Sequence, residues 1–164
     1  MALVKDTSYN NIFYDNVLSK LRSIITTDRP CTVYVAPSYQ DYGTFSIRLW
    51  GSSFETDELF PDTHRKLYNT EIAIYSIGDT SESFYNQLYS DAERLYQLLF
   101  NNSNLSSGDY PWKDGQVSEV TFDEFTDVEE GIDNLHVARF LFSCRITRWI
   151  TYKLRNLLWQ IIKK

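Results

Sequence analysis

The chain has 164 residues, 43% hydrophobic and 23% charged, with 16% aromatics that include 12 Tyr and 10 Phe. This size and apolar content predict one ordinary domain with its own core and exclude a disordered or low-complexity chain. The formal net charge of −6 excludes a protein that grips a nucleic-acid backbone over its main body.

The charge is unevenly spread. From residue 145 onward stand six basic residues, Arg145, Arg148, Lys153, Arg155, Lys163 and Lys164, and no acid, so residues 1–144 carry −12. Residues 116–135 hold seven acids and no base: Glu119, Asp123, Glu124, Asp127, Glu129, Glu130 and Asp133. No stretch approaches the ~20 apolar residues of a membrane span. The first ten residues lack the apolar run of a secretory signal. Cys31 and Cys144 are far apart and form no CxxC, which predicts reduced, structural thiols. His64 and His136 have no partner at metal-ligand spacing.

The first element is a helix. Phe13, Val17, Leu21, Ile24 and Ile25 fall on one stripe, Ser8 or Asn10 is placed to cap it, and Asp28-Arg29-Pro30 ends it. Residues 32–39 and 44–54 are rich in β-branched and aromatic side chains and flank "QDYG", which predicts a hairpin. In its second strand Phe45, Ile47 and Leu49 share a face expected to be buried. Ser46, Arg48 and Trp50 share the other, expected to be wet or partnered. Residues 55–69 are polar, contain Pro61, and read as a loop. Residues 71–77 read as a third strand. A helix over 79–101 follows, with Phe84, Leu88, Ala92, Leu95 and Leu99 inward and Asp79 as its cap, Glu82 completing a capping-box pattern.

"NNSNLSSGDYP" reads as a surface loop. Residues 116–125 and 135–146 read as two more strands, joined by the acidic hairpin loop 126–134. The second of these is nearly all apolar from Val137 to Cys144, apart from Arg139, and is expected inside the sheet. Residues 146–164 have helical rhythm. Ile146, Ile150, Leu154, Leu157, Leu158 and Ile161 lie on one side, Trp149 beside them, and basic residues over much of the rest. The expected fold is α+β: a mostly antiparallel sheet of about five strands with helices packed on one face. This gives an α+β body over 1–146 and a basic amphipathic C-terminal helix over 147–164.

Gly78 between a strand and a helix raises the question of a phosphate cradle. A phosphate loop needs a second Gly followed by Lys and Ser or Thr, and a dinucleotide site needs three glycines. Here Asp79 and Glu82 follow and would repel a phosphate while satisfying the helix dipole. Gly78 is therefore read as a turn residue. No Ser sits in GxSxG, no Cys–His pair has local support, and Asp127, Glu129 and Gly131 do not follow the EF-hand order. Asp123 and Glu124 are adjacent and point to opposite faces of a strand. No catalytic group, cofactor site or metal site is expected.

The order of elements, with "NTEIAIYSIG", "ESFYNQLYSDAERLYQLLFN" and "HVARFLFSCRI" in sequence, resembles the tail-terminator (tail-completion) proteins of long-tailed bacteriophages over roughly residues 10–146. The resemblance implies a structural virion protein, made in the host cytoplasm, that forms a usually hexameric ring. Such a ring caps the tail tube, joins it to neck or connector proteins, and lets DNA pass without specific binding and without a membrane. It implies no catalytic residues. The basic C-terminal helix departs from the simplest members, which leaves open whether the chain is a terminator or a neighbouring head-tail joining protein. In a DNA conduit the acids Asp123, Glu124, Asp127, Glu129 and Glu130 would face the lumen and keep phosphate from sticking. Trp149, Leu154, Leu157, Leu158, Trp159 and Ile161 are expected to dock on a neighbouring subunit. A different reading makes the C-terminal helix an interfacial anchor of a peripheral membrane or adaptor protein. A third is a small ligand-binding domain with a pocket between sheet and helices.

Overall fold

The computed structural model of the chain describes residues 10–36, 43–59, 63–78, 80–106, 108, 110–127 and 132–149. The elements run as a π-helical segment Phe13–Leu18, helix α1 Ser19–Asp28, strands β1 Val33–Tyr34, β2 Phe45–Leu59 and β3 Thr63–Ile77, helix α2 Glu82–Asn101, and strands β4 Trp112–Asp127 and β5 Ile132–Trp149. The five strands form one mixed sheet in the order β1-β2-β3-β5-β4. Every residue of β3 pairs with β5 in unbroken antiparallel register, from Thr63 opposite Trp149 to Ile77 opposite Leu135. As expected, β5 has a neighbour on both sides.

Strand alternation sends Ile47, Leu49, Ile72, Ile74, Ala138, Phe140, Phe142, Cys144 and Ile146 to one face. There they meet Val17, Leu21 and Ile25 of the first helical stretch and Leu88, Ala92, Leu95 and Leu99 of α2 in a single core. Each fully buried aliphatic or Phe side chain contributes roughly 1.5–3 kcal/mol relative to exposure. The other face carries a smaller cluster of Ala73, Leu135 and Val137, with Trp50 and Tyr75 packed against it.

Four local expectations are corrected. First, β1 pairs with β2 in parallel, Val33 opposite Ile47 and Tyr34 opposite Arg48, so the two do not form a hairpin. Alternation fixes which face a side chain takes but not the direction in which the strand runs. Second, residues 55–59 and 63–69, read as loop, extend the β2–β3 hairpin. Third, the α2 cap is Ser81, whose Oγ accepts from the Phe84 N–H, and the helix begins at Glu82; Asp79 lies outside the described residues. Fourth, Ile146–Trp149 continue β5 as strand. The second and fourth corrections are one event, because the extended hairpin offers Thr63–Lys66 as partners for Ile146–Trp149. Residues 150–164 lie outside the described residues. At the first helix, the expected caps give way to Asn11, whose Oδ1 accepts from the Tyr14 N–H, while Asn10 donates to the Tyr110 hydroxyl; Ser8 lies outside the described residues. The helix ends as expected, with Arg29 extended before Pro30.

Two glycines are required by close approach rather than by a turn. A Cβ on Gly51 would lie 2.4 Å from the Phe13 ring, and one on Gly78 would lie 1.9 Å from the Phe84 ring. Gly78, in the connection from β3 to α2, thus has a packing role against Phe84.

Two ion pairs clasp the end of α1 to α2. Arg29 pairs with Asp91, which also accepts from Gln87 at 3.0 Å. Arg94 donates to the Asp28 carboxylate at 2.9 Å and to its carbonyl at 2.8 Å. The Arg29 guanidinium also lies 4.0 Å from the centre of the Phe45 ring. Asp91 is buried and Arg94 is half-exposed, so the two pairs differ in worth. Asp91→Ala is expected to lower stability by about 2–4 kcal/mol because it strands a partly buried guanidinium. Arg94→Ala should cost less than about 1 kcal/mol. Urea unfolding of both variants checks the difference, and equal losses would contradict it.

Candidate functional site

The feature with the best geometry for recognition lies between α2 and the sheet's outer strand β4. The inward stripe of α2 leaves Tyr89, Tyr96 and Phe100 pointing away from the core, and all three are exposed. On β4, alternation places Val120 and Phe122 on the helix side, opposite Phe140 and Ala138 of β5. Ala92, Tyr89, Glu93 and Tyr96 from the helix and Val120 and Phe122 from the strand line an open groove of about 330 Å³. Its corner is fixed by Tyr89 and Phe122, whose rings meet edge-to-face at 5.0 Å. The sequence signal was present but unread: Tyr89, Tyr96 and Phe100 fall at helical spacing off the apolar stripe.

Among the described residues no strand pairs with the outer edge of β4. That edge is defended. Its ladder with β5 shifts register three times, between Lys113 and Gln116, Val117 and Glu119, and Phe125 and Asp127, and Glu119, Asp123 and Glu124 are exposed along it. Bulges and charges of this kind discourage a second strand from adding on. Side-chain contacts in the groove are therefore a better basis for recognition than main-chain pairing.

The acids singled out from the sequence are only partly brought together. Asp123 pairs with Val137 and Glu124 with His136, so the two face opposite sides of the sheet, as their adjacency requires. Glu124 accepts from the Tyr85 hydroxyl at 3.3 Å on the α2 side. Partial burial first, and the nearby Glu124 carboxylate next, hold the Tyr85 phenol above its usual range. Asp127 sits at the end of β4, opposite Ile132. Glu129 and Glu130 lie outside the described residues. Of the expected interface set, Trp149 is the last residue of β5, its backbone opposite Thr63, and Leu154, Leu157, Leu158, Trp159 and Ile161 lie outside the described residues.

The Gly78 region has no room for an anion. The Phe84 ring fills the space above the glycine, and the Gly78 N–H donates to the Asn134 carbonyl at 3.3 Å. His136 is buried there between the Phe84 and Tyr85 rings, with centroids at 4.7 and 5.2 Å. Among the described residues no group of three or more His, Cys, Asp or Glu side chains could hold a metal ion.

The face of the sheet away from the helices was expected to be wet or partnered, and at Ser46 and Arg48, both 1% exposed, it is not wet. The Arg48 guanidinium lies 5.1 Å from the centre of the Tyr34 ring and 5.4 Å from that of Tyr75. At the other end of this face, the residue bulged out of β2 at the Thr56/Glu58 shift is Asp57. Its Oδ2 accepts from Arg145 at 2.8 Å and from Arg65 at 2.9 Å. The bond from Arg145, seconded by Arg65, holds the Asp57 carboxyl below its usual range.

Compared with known proteins, the chain matches no family model and no curated sequence.

Neither cysteine is in a disulfide; Cys31 is half-buried and Cys144 is buried. Burial pushes the Cys144 thiol up to about 12, and burial also raises that of Cys31, with Arg29 pulling the other way. For a thiol raised on folding, the unfolded chain gives up its proton first. Stability is therefore intact below about pH 9 and declines as pH climbs towards 12, by about 1.4 kcal/mol per unit from Cys144. Urea midpoints between pH 8 and pH 10.5 are expected to fall more steeply for the native chain than for Cys144→Ala. A thiol reagent at pH 8 should label Cys31 first and Cys144 only on unfolding.

Proposed function

We propose that this chain is a non-catalytic structural protein of a tailed-phage virion, a ring-forming tail terminator or a neighbouring head-tail joining protein. The observation that carries the reading is the pairing of a defended sheet edge with an exposed aromatic groove beside it. Tyr and Phe presented at half exposure on rigid elements suit a protein interface. The element order, helix, three strands, long helix, two strands, is the order on which the resemblance to tail terminators rests. A ring follows from a head-to-tail interface whose rotation closes.

In such a ring the β4–β5 hairpin end carries the acids. Asp123 and Asp127, with Glu129 and Glu130, would line the lumen and repel the passing duplex. Glu124, engaged by Tyr85, would hold the hairpin to α2. The partners are further copies of the chain, the tail tube below and neck proteins above. The place of action is the neck of the particle.

Light scattering after size exclusion is expected to give a closed oligomer, and electron microscopy of intact particles to place it between head and tail. A chain that stays monomeric at high concentration and is absent from particles would sink the reading. A monomer that floats with anionic vesicles would replace it with the membrane-anchor alternative.

A further inference from the structure

We propose that the groove between α2 and β4 receives the C-terminal segment, residues 150–164, of a second copy of the chain. The proposal rests on the ring reading above and names the contact that closes it. Three observations support it.

The first is shape and chemistry. The floor and walls are Ala92, Val120, Tyr89, Tyr96 and Phe122, open to solvent on one side. An apolar helical face laid into a groove of this kind is a common mode of recognition. Residues 150–164 carry Ile150, Leu154, Leu157, Leu158 and Ile161 on one helical stripe.

The second is charge. Glu93 lines the groove, and Glu124 stands on the same face of β4, two residues past Phe122. The basic residue of α2, Arg94, is already tied to Asp28. The segment offers Lys153, Arg155, Lys163 and Lys164 and no acid. An acidic groove and a basic ligand steer each other and disfavour the wrong partner.

The third is reach, and it selects the second copy over the chain's own tail. β5 ends at Trp149, three residues beyond Ile146, which stands opposite Trp112 at the start of β4. On its strand side the groove begins at Val120, which stands opposite Phe140, nine residues back along β5 from Trp149. The distance is roughly 30 Å at about 3.3 Å per strand residue. A 15-residue helix spans only about 22 Å. Folded as the amphipathic helix its sequence predicts, the tail stops short of its own groove, whereas a neighbour's tail can enter from outside.

The test uses the full-length chain in a Cys31→Ser background. Glu93→Cys is placed on one chain and Leu157→Cys on another, and the two are mixed and oxidised. A covalent dimer is expected, and it should be absent when either variant is oxidised alone. With both substitutions on one chain, a cross-linked product of monomer size at high dilution would overturn the choice of a second copy. Separately, Glu93→Lys with Glu124→Lys is expected to weaken self-association at least tenfold, and Lys153→Glu with Arg155→Glu to restore it when the two variants are mixed. Rings that form normally in the charge-reversed chain, with no cross-link, would leave the ring reading standing and remove this contact. A chain that never self-associates would remove both.

Discussion

The unbroken pairing of β3 with β5 is the constraint on which the rest of the structure depends. All of β3 is in register with β5, while the flanking ladders each shift, twice in β2–β3 and three times in β4–β5. A one-residue slip in this central pair would turn one strand's inward set, Ile72 and Ile74 or Phe140 and Phe142, away from the helices and break up the core. Irregularity is confined to the outer ladders, where bulges re-aim side chains without disturbing the core. Asp57 reaches Arg65 and Arg145 from one such bulge.

The central pair also sets where the helices dock. Trp112 is buried at the start of β4, its ring nitrogen donating to the Asn102 carbonyl at 2.9 Å, which pins the end of α2 to the sheet. At the other end of the helix Phe84 lies over Gly78 and against His136. Between these two pins the helix axis has little freedom, so Tyr89 and Tyr96 are presented on a rigid support. Preorganised aromatic anchors lose little conformational entropy on binding. The ion pairs at Asp28, Arg29, Asp91 and Arg94 then hold the first helix beside the second.

The two faces of the sheet differ in kind. The helix side is an aliphatic and aromatic core that also takes in Thr70 and His136. The other side mixes a small apolar patch, Ala73, Leu135 and Val137, with a buried arginine between two tyrosines. The alternation "FSIRLW" marked Arg48 for the second face correctly. Its burial was not legible, because alternation reports which way a side chain points and nothing about what else approaches that face.

Much of the architecture was legible in the sequence because it rests on local chemistry. The 3.6-residue stripes gave both helices, Pro30 placed the end of the first, and the apolar run from Val137 to Cys144 announced an inner strand. What the sequence could not decide were the features that need a partner. The parallel direction of β1, the strand character of residues 55–59 and 63–69, and the extension of β5 to Trp149 all depend on hydrogen bonds to residues distant in the chain. A polar stretch becomes strand when a long neighbour lies alongside it, and a helical rhythm at Ile146–Trp149 yields when Thr63–Lys66 supply a ladder. The same holds for the groove. Tyr89, Tyr96 and Phe122 are ordinary residues of a helix and a strand in the sequence, and only the docking of α2 across β4 and β5 makes them a surface.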